Sequence, residues 1–516
     1  MTTAIAQFSL PRDSLQAHEP AQKLWRFQRR GYQRYVFLRQ QIDLSFFWAR
    51  RWFFIAMLVG FLLIIAPTPP GLTEEGQIVL AMSVVATILF ITEAVPLPTV
   101  PLLIIIGQVV LLKVEPTKVA QSLMTDAVLF IMGSLMLAVA IVKQRLDRRI
   151  AWAIVRMTGT NVYWISFGIT AVCGALAAFI GEHTVAAMML PVGVTLITLT
   201  SNDPKKVHNL AAVILFSIAY GCSIAGVATP SGGARNAIII SYWRDLLYDP
   251  LNPETRRFLV DYVTWTVYAF PMFLLRLPIV AAILVFTFKP ETTDMSRAVS
   301  RLRTQVIMDG PLKPAHWLTF LIFGLTILGW IFLSGTLGLG VIALIGVSAF
   351  LVFGLVRWED INSGVNWGVV LLYAAAISLG VEMTETGAAE WLANMILAGL
   401  GDIGASHGFG FNVATSILTI AVSNTMTAGA AIAVLGPIIL NTAAVAGVDP
   451  LVAGFVAAIS SAFGYLTPAA QPAFTIIYAS GYLKVRDFFK AGTRMMLISV
   501  IILLALASLY WPYINH

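Results

Sequence analysis

The stretch Ala421-Val422-Ser423-Asn424-Thr425-Met426-Thr427-Ala428-Gly429 lies inside an otherwise apolar run. Phe411 to Val422 precedes it with only Asn412 and a few hydroxyls for polarity, and Ala430 to Leu440 follows it without a charge. Hydrogen-bonding side chains at membrane depth are costly unless something engages them. Taken alone, the Ser-Asn-Thr triplet could equally glue helices together. An echo earlier in the chain weighs against that. Phe179-Ile180-Gly181-Glu182-His183-Thr184-Val185-Ala186-Ala187-Met188 also ends a triplet in Thr and runs into small residues and an apolar arm, with Pro191 matching Pro437. Downstream, Ser223 to Thr229-Pro230 is answered by Ser461 to Thr467-Pro468, and upstream Leu129 to Leu146 is answered loosely by Leu371 to Gly387. The order is the same and the offset nearly constant. Such an internal duplication marks a secondary transporter whose site lies between two repeats.

Composition sets the class. The chain is 58% hydrophobic and only 11% charged, with a mean hydropathy of +0.83, which excludes an ordinary soluble domain. The net charge of +7 sits in loops and at the amino end, as membrane orientation requires, and is no nucleic-acid signal. Cys173 and Cys222 lie in apolar runs and offer neither a disulfide framework nor metal-ligand spacing. No cleavable signal sequence is visible.

The expected architecture is an all-α polytopic membrane protein of about eleven transmembrane helices plus two re-entrant hairpins. Residues 1–51 carry nine Lys or Arg interleaved with aromatics. They suit an amphipathic cytoplasmic segment on the leaflet, or one packed on the protein's own cytoplasmic face or on a partner subunit. Residues 52–288 form a first repeat, with spans near 52–66, 76–92, 98–112 and 127–142, a hairpin over 162–200 broken at Gly181 to Thr184, a helix over 209–242 broken at Gly226 to Gly233, and a span over 262–288. A cytoplasmic linker, 289–316, leads to the second repeat, 317–516. That repeat has spans 317–333, 338–355 and 365–383, a loop 384–407 without Lys or Arg, a hairpin over 408–442, a helix over 450–482 broken at Tyr465 to Pro472, and a last span. Basic loops place the amino end in the cytoplasm and the carboxyl end outside, and the hairpins enter from opposite sides, so the repeats are inverted.

Two hairpin tips followed by broken helices with a Thr-Pro element resemble the divalent anion:sodium symporter family, over roughly residues 52–512. Ser423-Asn424-Thr425 matches the family motif intact, and Phe90 to Leu97, through Thr92-Glu93 and Pro96, looks like the start of the family's third helix. The resemblance implies an inner-membrane homodimer of elevator type that carries di- or tricarboxylates or sulfate. It implies a substrate site between the tips and the breaks, and two sodium sites. By that similarity the second sodium site is built from Thr419, Ser423 and Asn424 with backbone near Val422 and Leu466. The first triplet departs from the family: Glu182-His183-Thr184 replaces Ser-Asn-Thr, and Ala178 stands where a hydroxyl is expected. An alanine has no side-chain oxygen and histidine offers only nitrogens, so the first sodium site is altered.

Glu182 and His183 are ionisable at mid-membrane, which makes them functional candidates. A proton on His183 could supply the charge that sodium supplies elsewhere. Glu182 could carry a proton, act as a permanent counter-charge, or simply hold the tip in a static ion pair. Arg235 could receive a substrate carboxylate or neutralise Glu182. The substrate donors expected are His183, Thr184, Thr229, Asn424, Thr425, Thr467 and the turn at Pro468, with helix N-termini aimed at the anion. The Gly-rich run Gly335 to Gly346 reads as close helix packing. The function expected is secondary active transport of small divalent anions such as C4-dicarboxylates, coupled to one sodium ion, to protons or to a counter-substrate. Electroneutral anion exchange and sulfate or other oxyanion transport are the alternatives. A channel, or an intramembrane enzyme, whose His-Glu-x-x-His helix or paired membrane aspartates are absent, is remote.

Overall fold

The computed structural model describes residues 48, 50–92, 94–96, 98–144, 156–200, 204–296, 299–300, 304, 312–401, 408–468 and 470–514. Most of the amino-terminal segment 1–51, the basic run Arg145 to Arg149, and Glu93, Arg297, Arg301, Arg303, Asp402 and His407 lie outside the described residues. The rest is helical, and the described residues contain no strand, only an isolated bridge between Asn161 and Asp294.

In chain order the helices are α1 (Arg51–Ile65), α2 (Glu74–Thr92), α3 (Thr99–Val110), α4 (Pro116–Ser122), α5 (Asp126–Lys143), α6 (Val162–Ile180), α7 (Glu182–Thr200), α8 (His208–Ala225), α9 (Ala234–Tyr242), α10 (Tyr262–Thr287) and α11 (Pro314–Leu337). They continue with α12 (Leu339–Val352), α13 (Trp358–Gly364), α14 (Trp367–Glu385), α15 (Ala388–Gly401), α16 (Gly408–Ser423), α17 (Ala428–Val445), α18 (Pro450–Ser460), α19 (Pro472–Tyr478), α20 (Val485–Ala505) and α21 (Trp511–Ile514). Among the described residues ten helices are long and apolar enough to cross a membrane. Three of these, α6, α7 and α17, are hairpin arms; the other spans expected from sequence are the remaining long helices and the shorter apolar α1, α3, α12 and α18. Two differences stand out. The stretch expected as loop 384–407 is largely helix α15, because Ala389 and Ala393 bury one face of it while Glu390 stays exposed. The short helices α4 and α13 also replace expected loops.

The breaks fall where the sequence carries Gly and Pro. α6 ends at Gly181, whose φ of 94° is a left-handed conformation that glycine adopts freely. α8 stops at Gly226 and restarts at Ala234; α18 passes through a short 3-10 turn, stops at Gly464 and restarts at Pro472. Inside intact helices each proline leaves a carbonyl four residues earlier without its amide. The Tyr242 hydroxyl donates to the Ala433 carbonyl freed by Pro437 (2.7 Å), and the Tyr510 hydroxyl donates to the Val267 carbonyl freed by Pro271 (3.2 Å).

Contacts between helix ends sort them into two sets. At one end Thr73 donates to the Thr386 carbonyl (2.8 Å), Lys118 to Glu385 (2.5 Å) and Arg257 to Asp449 (3.3 Å), and Asp126 caps α12 at the amides of Leu339 and Gly340. At the other, Lys143 donates to Asp360 (2.5 Å), a bond that holds the Asp360 carboxyl below its ordinary range. There too Val162 donates to the Thr293 carbonyl (3.0 Å), Glu291 caps α8 at Asn209 and Leu210, and His208 meets Asp487 at 3.3 Å. The α6–α7 hairpin opens toward the second set and the α16–α17 hairpin toward the first. Their tips therefore approach from opposite ends. Gly133, Gly340 and Gly346 let α5, α11 and α12 pack at close range, as the reading of Gly335 to Gly346 expected.

α8 is the hub: Leu210 through Ala225 are all buried. α20 presses on the second break, where a methyl at Gly492 would collide with the Tyr465 carbonyl. Gly492→Ala should therefore destabilise the protein by about 1–3 kcal/mol, as overpacking does. Gly324→Ala, on α11 with nothing within 4 Å, should be neutral or stabilising by up to about 1 kcal/mol. Thermal unfolding of the purified protein in detergent compares the two.

Candidate functional site

The first tip is a turn between α6 and α7 that sets Glu182 at the first residue of α7, beside the start of α9. Arg235, one residue into α9, meets it: Nη1 lies 3.1 Å from Oε1 and Nη2 3.4 Å from Oε2. The acid is 6% exposed and the guanidinium 2%. This is a two-pronged ion pair, the geometry that suits arginine. Gly226 and Gly233 make room for it, since a methyl at 226 would come within 3 Å of both partners. Of the two roles open to Arg235, the structure displays the pairing with Glu182. The Arg235 Nε remains buried without a partner.

The oxygens around this tip are largely engaged. The Ala178 carbonyl, in the last turn of α6, accepts the Thr229 hydroxyl and the Ser231 hydroxyl (3.1 Å). Ser231 also lies 3.0 Å from the Tyr262 hydroxyl. The Asn236 amide donates to the carbonyls of Gly226 and Thr229, both at 2.8 Å, and closes the break. His183 and Thr184 are half-buried, and neither side chain bonds to any described residue. They stand at the tip with their polar atoms free.

The second tip is built differently. Ser423 ends α16 and donates to the Ile420 carbonyl (3.2 Å). Asn424 spans the gap to the second break: its Nδ2 donates to the Ile420 carbonyl (2.9 Å) and its Oδ1 accepts the Leu466 amide (3.1 Å). Thr425 is exposed and donates to the Val422 carbonyl (2.7 Å), and Thr427 caps α17. Two hydroxyl oxygens here are buried without any partner, Thr419 Oγ1 and Thr467 Oγ1. Thr419 lies one turn before Ser423, on the same helix face. The Pro468 carbonyl accepts the Thr475 hydroxyl (2.8 Å) within the break. No group of three His, Cys, Asp or Glu gathers anywhere among the described residues, so any ion held here would meet hydroxyl, amide and carbonyl oxygens, the donor set of a hard cation.

Of the site residues expected from sequence, Glu182 joins Arg235 and Asn424 joins the second break, while Ser423 bonds within its own helix and the Thr419 hydroxyl has no partner. Thr229 faces the Ala178 carbonyl. Three others escaped the sequence reading. Tyr373 on α14 reaches the start of α17, its hydroxyl filling the space a Gly429 side chain would need, and it lies within Coulombic reach of Glu182 and Arg235. Gln471 repeats at the second break the role of Asn236, donating to the Ala462 carbonyl while its Oε1 accepts the Ser223 hydroxyl (2.6 Å). Arg276 is fully buried on α10 and bonds to both breaks. A lone charge in the apolar run 262–288 was the signal that finds it.

Residues 47–516 match the family described as the sodium:sulfate symporter transmembrane region. An uncharacterized transporter of Haemophilus influenzae is 27% identical over 84% of this chain and 91% of its own length. The sodium-dependent dicarboxylate transporter SdcS of Staphylococcus saprophyticus is 23% identical over 86% of this chain and 88% of its own. Sodium-dependent high-affinity dicarboxylate transporter 3 of Caenorhabditis elegans is also 23% identical, over 84% and 83%. Among solved structures, MtrF of Neisseria gonorrhoeae, from a class of antimetabolite efflux pumps, superposes with a TM-score of 0.52 at 12% identity, over 88% of this chain and 97% of that one.

Removing one partner of a buried pair leaves the other uncompensated, at a cost of about 3–5 kcal/mol. Arg235→Gln and Glu182→Gln should each lower stability strongly, and the double variant should recover most of the loss. A double-mutant cycle on unfolding reads the coupling directly; additive losses would show that the two side chains do not act as a pair.

Proposed function

The chain belongs to the family of the sodium:sulfate symporter transmembrane region, and from that premise we propose that it is a secondary active transporter of small divalent anions of the C4-dicarboxylate type, driven by sodium held at the second tip alone. It is an integral membrane transporter and not an enzyme. The reading rests above all on one contrast between the tips. At the second, a buried hydroxyl oxygen, Thr419 Oγ1, has no partner, and a buried oxygen that nothing satisfies is a standing demand for a ligand. At the first, Ala178 offers no side-chain oxygen, its carbonyl accepts two hydroxyls and Glu182 pairs with Arg235; the oxygen left without a partner there, Asn236 Oδ1, belongs to the break and not to the tip.

The sodium ion is cargo, held by Thr419, Ser423, Asn424 and neighbouring carbonyls. The anion lies between the tips. It takes the free donors of His183, Thr184 and Thr467 and the hydroxyl of Thr425, near the amino ends of α7 and α17, where the helix dipole favours negative charge. Because Arg235 supplies a cation beside Glu182, the first tip needs no proton to balance that acid. The first hairpin packs on α8 and the second on α9, α14 and α18, so that together with the broken helices they form one central body. The exposed apolar faces of α1 and α11, with Phe61, Leu62, Phe320, Leu325 and Phe332, lie outside it. This suits a homodimer in the inner membrane whose central body slides against a fixed scaffold. The end with Lys143, Lys289, Lys484, Arg486 and Arg494 is cytoplasmic, by the bias of Lys and Arg.

Purified protein in proteoliposomes should accumulate labelled succinate when, and only when, a sodium gradient is imposed. Exchange driven by internal succinate without sodium would point instead to an obligate exchanger. Thr419→Val keeps the side-chain shape and removes the oxygen. It should raise the half-saturating sodium concentration by about tenfold or more, the size expected when a charged group loses a donor atom. Succinate affinity at saturating sodium should change little. A variant with the parent's sodium curve would remove Thr419 from the ion site.

A further inference from the structure

Arg276 is a buried cation without an anion. It lies on α10 between Leu275 and Leu277 and is fully buried. Its Nε donates to the Met272 carbonyl (3.1 Å), its Nη2 to the Ile224 carbonyl (2.9 Å) and its Nη1 to the Tyr465 hydroxyl (3.2 Å). The guanidinium carbon stands 5.2 Å from the centre of the Phe463 ring. Among the described residues no carboxylate pairs with it.

Its neighbours place it. Ile224 belongs to the last turn of α8, immediately before the first break. Phe463 and Tyr465 flank Gly464, where the second break begins. Leu466, next along, donates its amide to Asn424 at the second tip. Arg276 is therefore wedged between the two breaks, behind the anion site. Its partners are carbonyl dipoles at a helix C-terminus, a phenol and an aromatic face. All of these lower the energy of a buried cation, yet none carries a full negative charge. They make the charge tolerable without cancelling it.

The sum of fixed charge follows. Glu182 and Arg235 cancel. Arg276 then leaves the empty site region with one net positive charge. A dianion entering a low-dielectric interior must be balanced by cations. The second tip holds one sodium ion. We propose that Arg276 is the resident counter-charge of the anion site, standing in for a second coupling cation, so that one sodium ion accompanies each dianion. This rests on the sodium-coupled dianion transport proposed above. The loaded body, with dianion, sodium and Arg276, is neutral. The empty body carries one positive charge on its return. Each turnover therefore moves one net negative charge with the anion, and an inside-positive potential speeds uptake.

The wild-type protein gives the first test. In proteoliposomes with fixed gradients of succinate and sodium, the potential clamped with potassium and valinomycin at which net flux vanishes gives the sodium-to-succinate ratio. A ratio of one is expected. A ratio of two or more would overturn the proposal and leave symport intact, whereas flux indifferent to sodium would overturn the symport reading on which it stands. The second test separates charge from stapling. Arg276→Gln should weaken succinate binding by about tenfold or more, because a full charge is lost in a low-dielectric site. It should weaken binding of the monoanion succinamate only by the square root of that factor, roughly threefold where succinate loses tenfold, the charge term being halved. Arg276→Lys should keep the preference for the dianion. Equal losses for both ligands, or Lys as damaging as Gln, would reduce Arg276 to a staple between the breaks. If the Gln variant does not fold, the wild-type ratio decides alone.

Discussion

Backbone broken inside a membrane must be satisfied by the protein itself, because no water is there to do it. That constraint organises this molecule. Two helices stop and restart, two hairpins turn, and each interruption exposes amides and carbonyls that a continuous helix would pair. The chain answers with side chains from elsewhere. Asn236 takes the carbonyls of Gly226 and Thr229, and Trp265 takes that of Val227. Gln471 takes that of Ala462, and Asn424 receives the Leu466 amide. Arg276 holds Ile224 and Tyr465 at once. The two breaks cannot relax separately, since one guanidinium and one hub helix serve both. Irregular backbone is thereby held in place by side chains from other elements.

The Glu182–Arg235 pair shows the same constraint acting on charge. An acid at this depth would ordinarily have to be protonated or shift away. Here Arg235 meets it with a fork of two hydrogen bonds, and Gly226 and Gly233 leave room for the pair to close. The desolvation of both ions opposes the pair, and the net stabilisation of such pairs is small. Its value lies elsewhere: it fixes the first tip to the first broken helix with a contact that no ion needs to complete. Where the second tip leaves the Thr419 oxygen open, the first is tied to its break by an ion pair.

The sequence carried the interruptions openly. Gly181, Gly226 to Gly233, and Tyr465 to Pro472 are glycine- and proline-rich punctuation in apolar runs, and helices end there because glycine and proline end helices locally. In the structure α6 ends at Gly181, α8 stops at Gly226 and the second broken helix restarts at Pro472. Partnership was far less legible. That Arg235 faces Glu182 depends on bringing α9 onto α7, a contact between residues 53 positions apart, and neither residue type names its partner. Gln471 and Tyr373 look like ordinary polar residues in linear order, and only packing gives them roles. α15 was missed because a short amphipathic helix lying on other helices has the composition of a loop. Arg276 is the opposite case, a plain signal, since a single arginine in a long apolar span requires an explanation from sequence alone.

The duplication makes the asymmetry of the site interpretable. Two halves descended from one plan face the same physical demand, a break to seal and a tip to hold, and they meet it with different chemistry. In the second half the tip asparagine reaches the break directly, through Asn424 and Leu466. In the first half the equivalent position is His183, which reaches nothing described, and the break is joined to the tip by Arg235 instead. A neutral amide bridge can accommodate a cation beside it, because its oxygen and the neighbouring hydroxyls stay available as ligands. A guanidinium bridge repels one. Replacing the amide by an ion pair therefore changes how that tip is held: a neutral amide bridge gives way to a bond between two opposite charges.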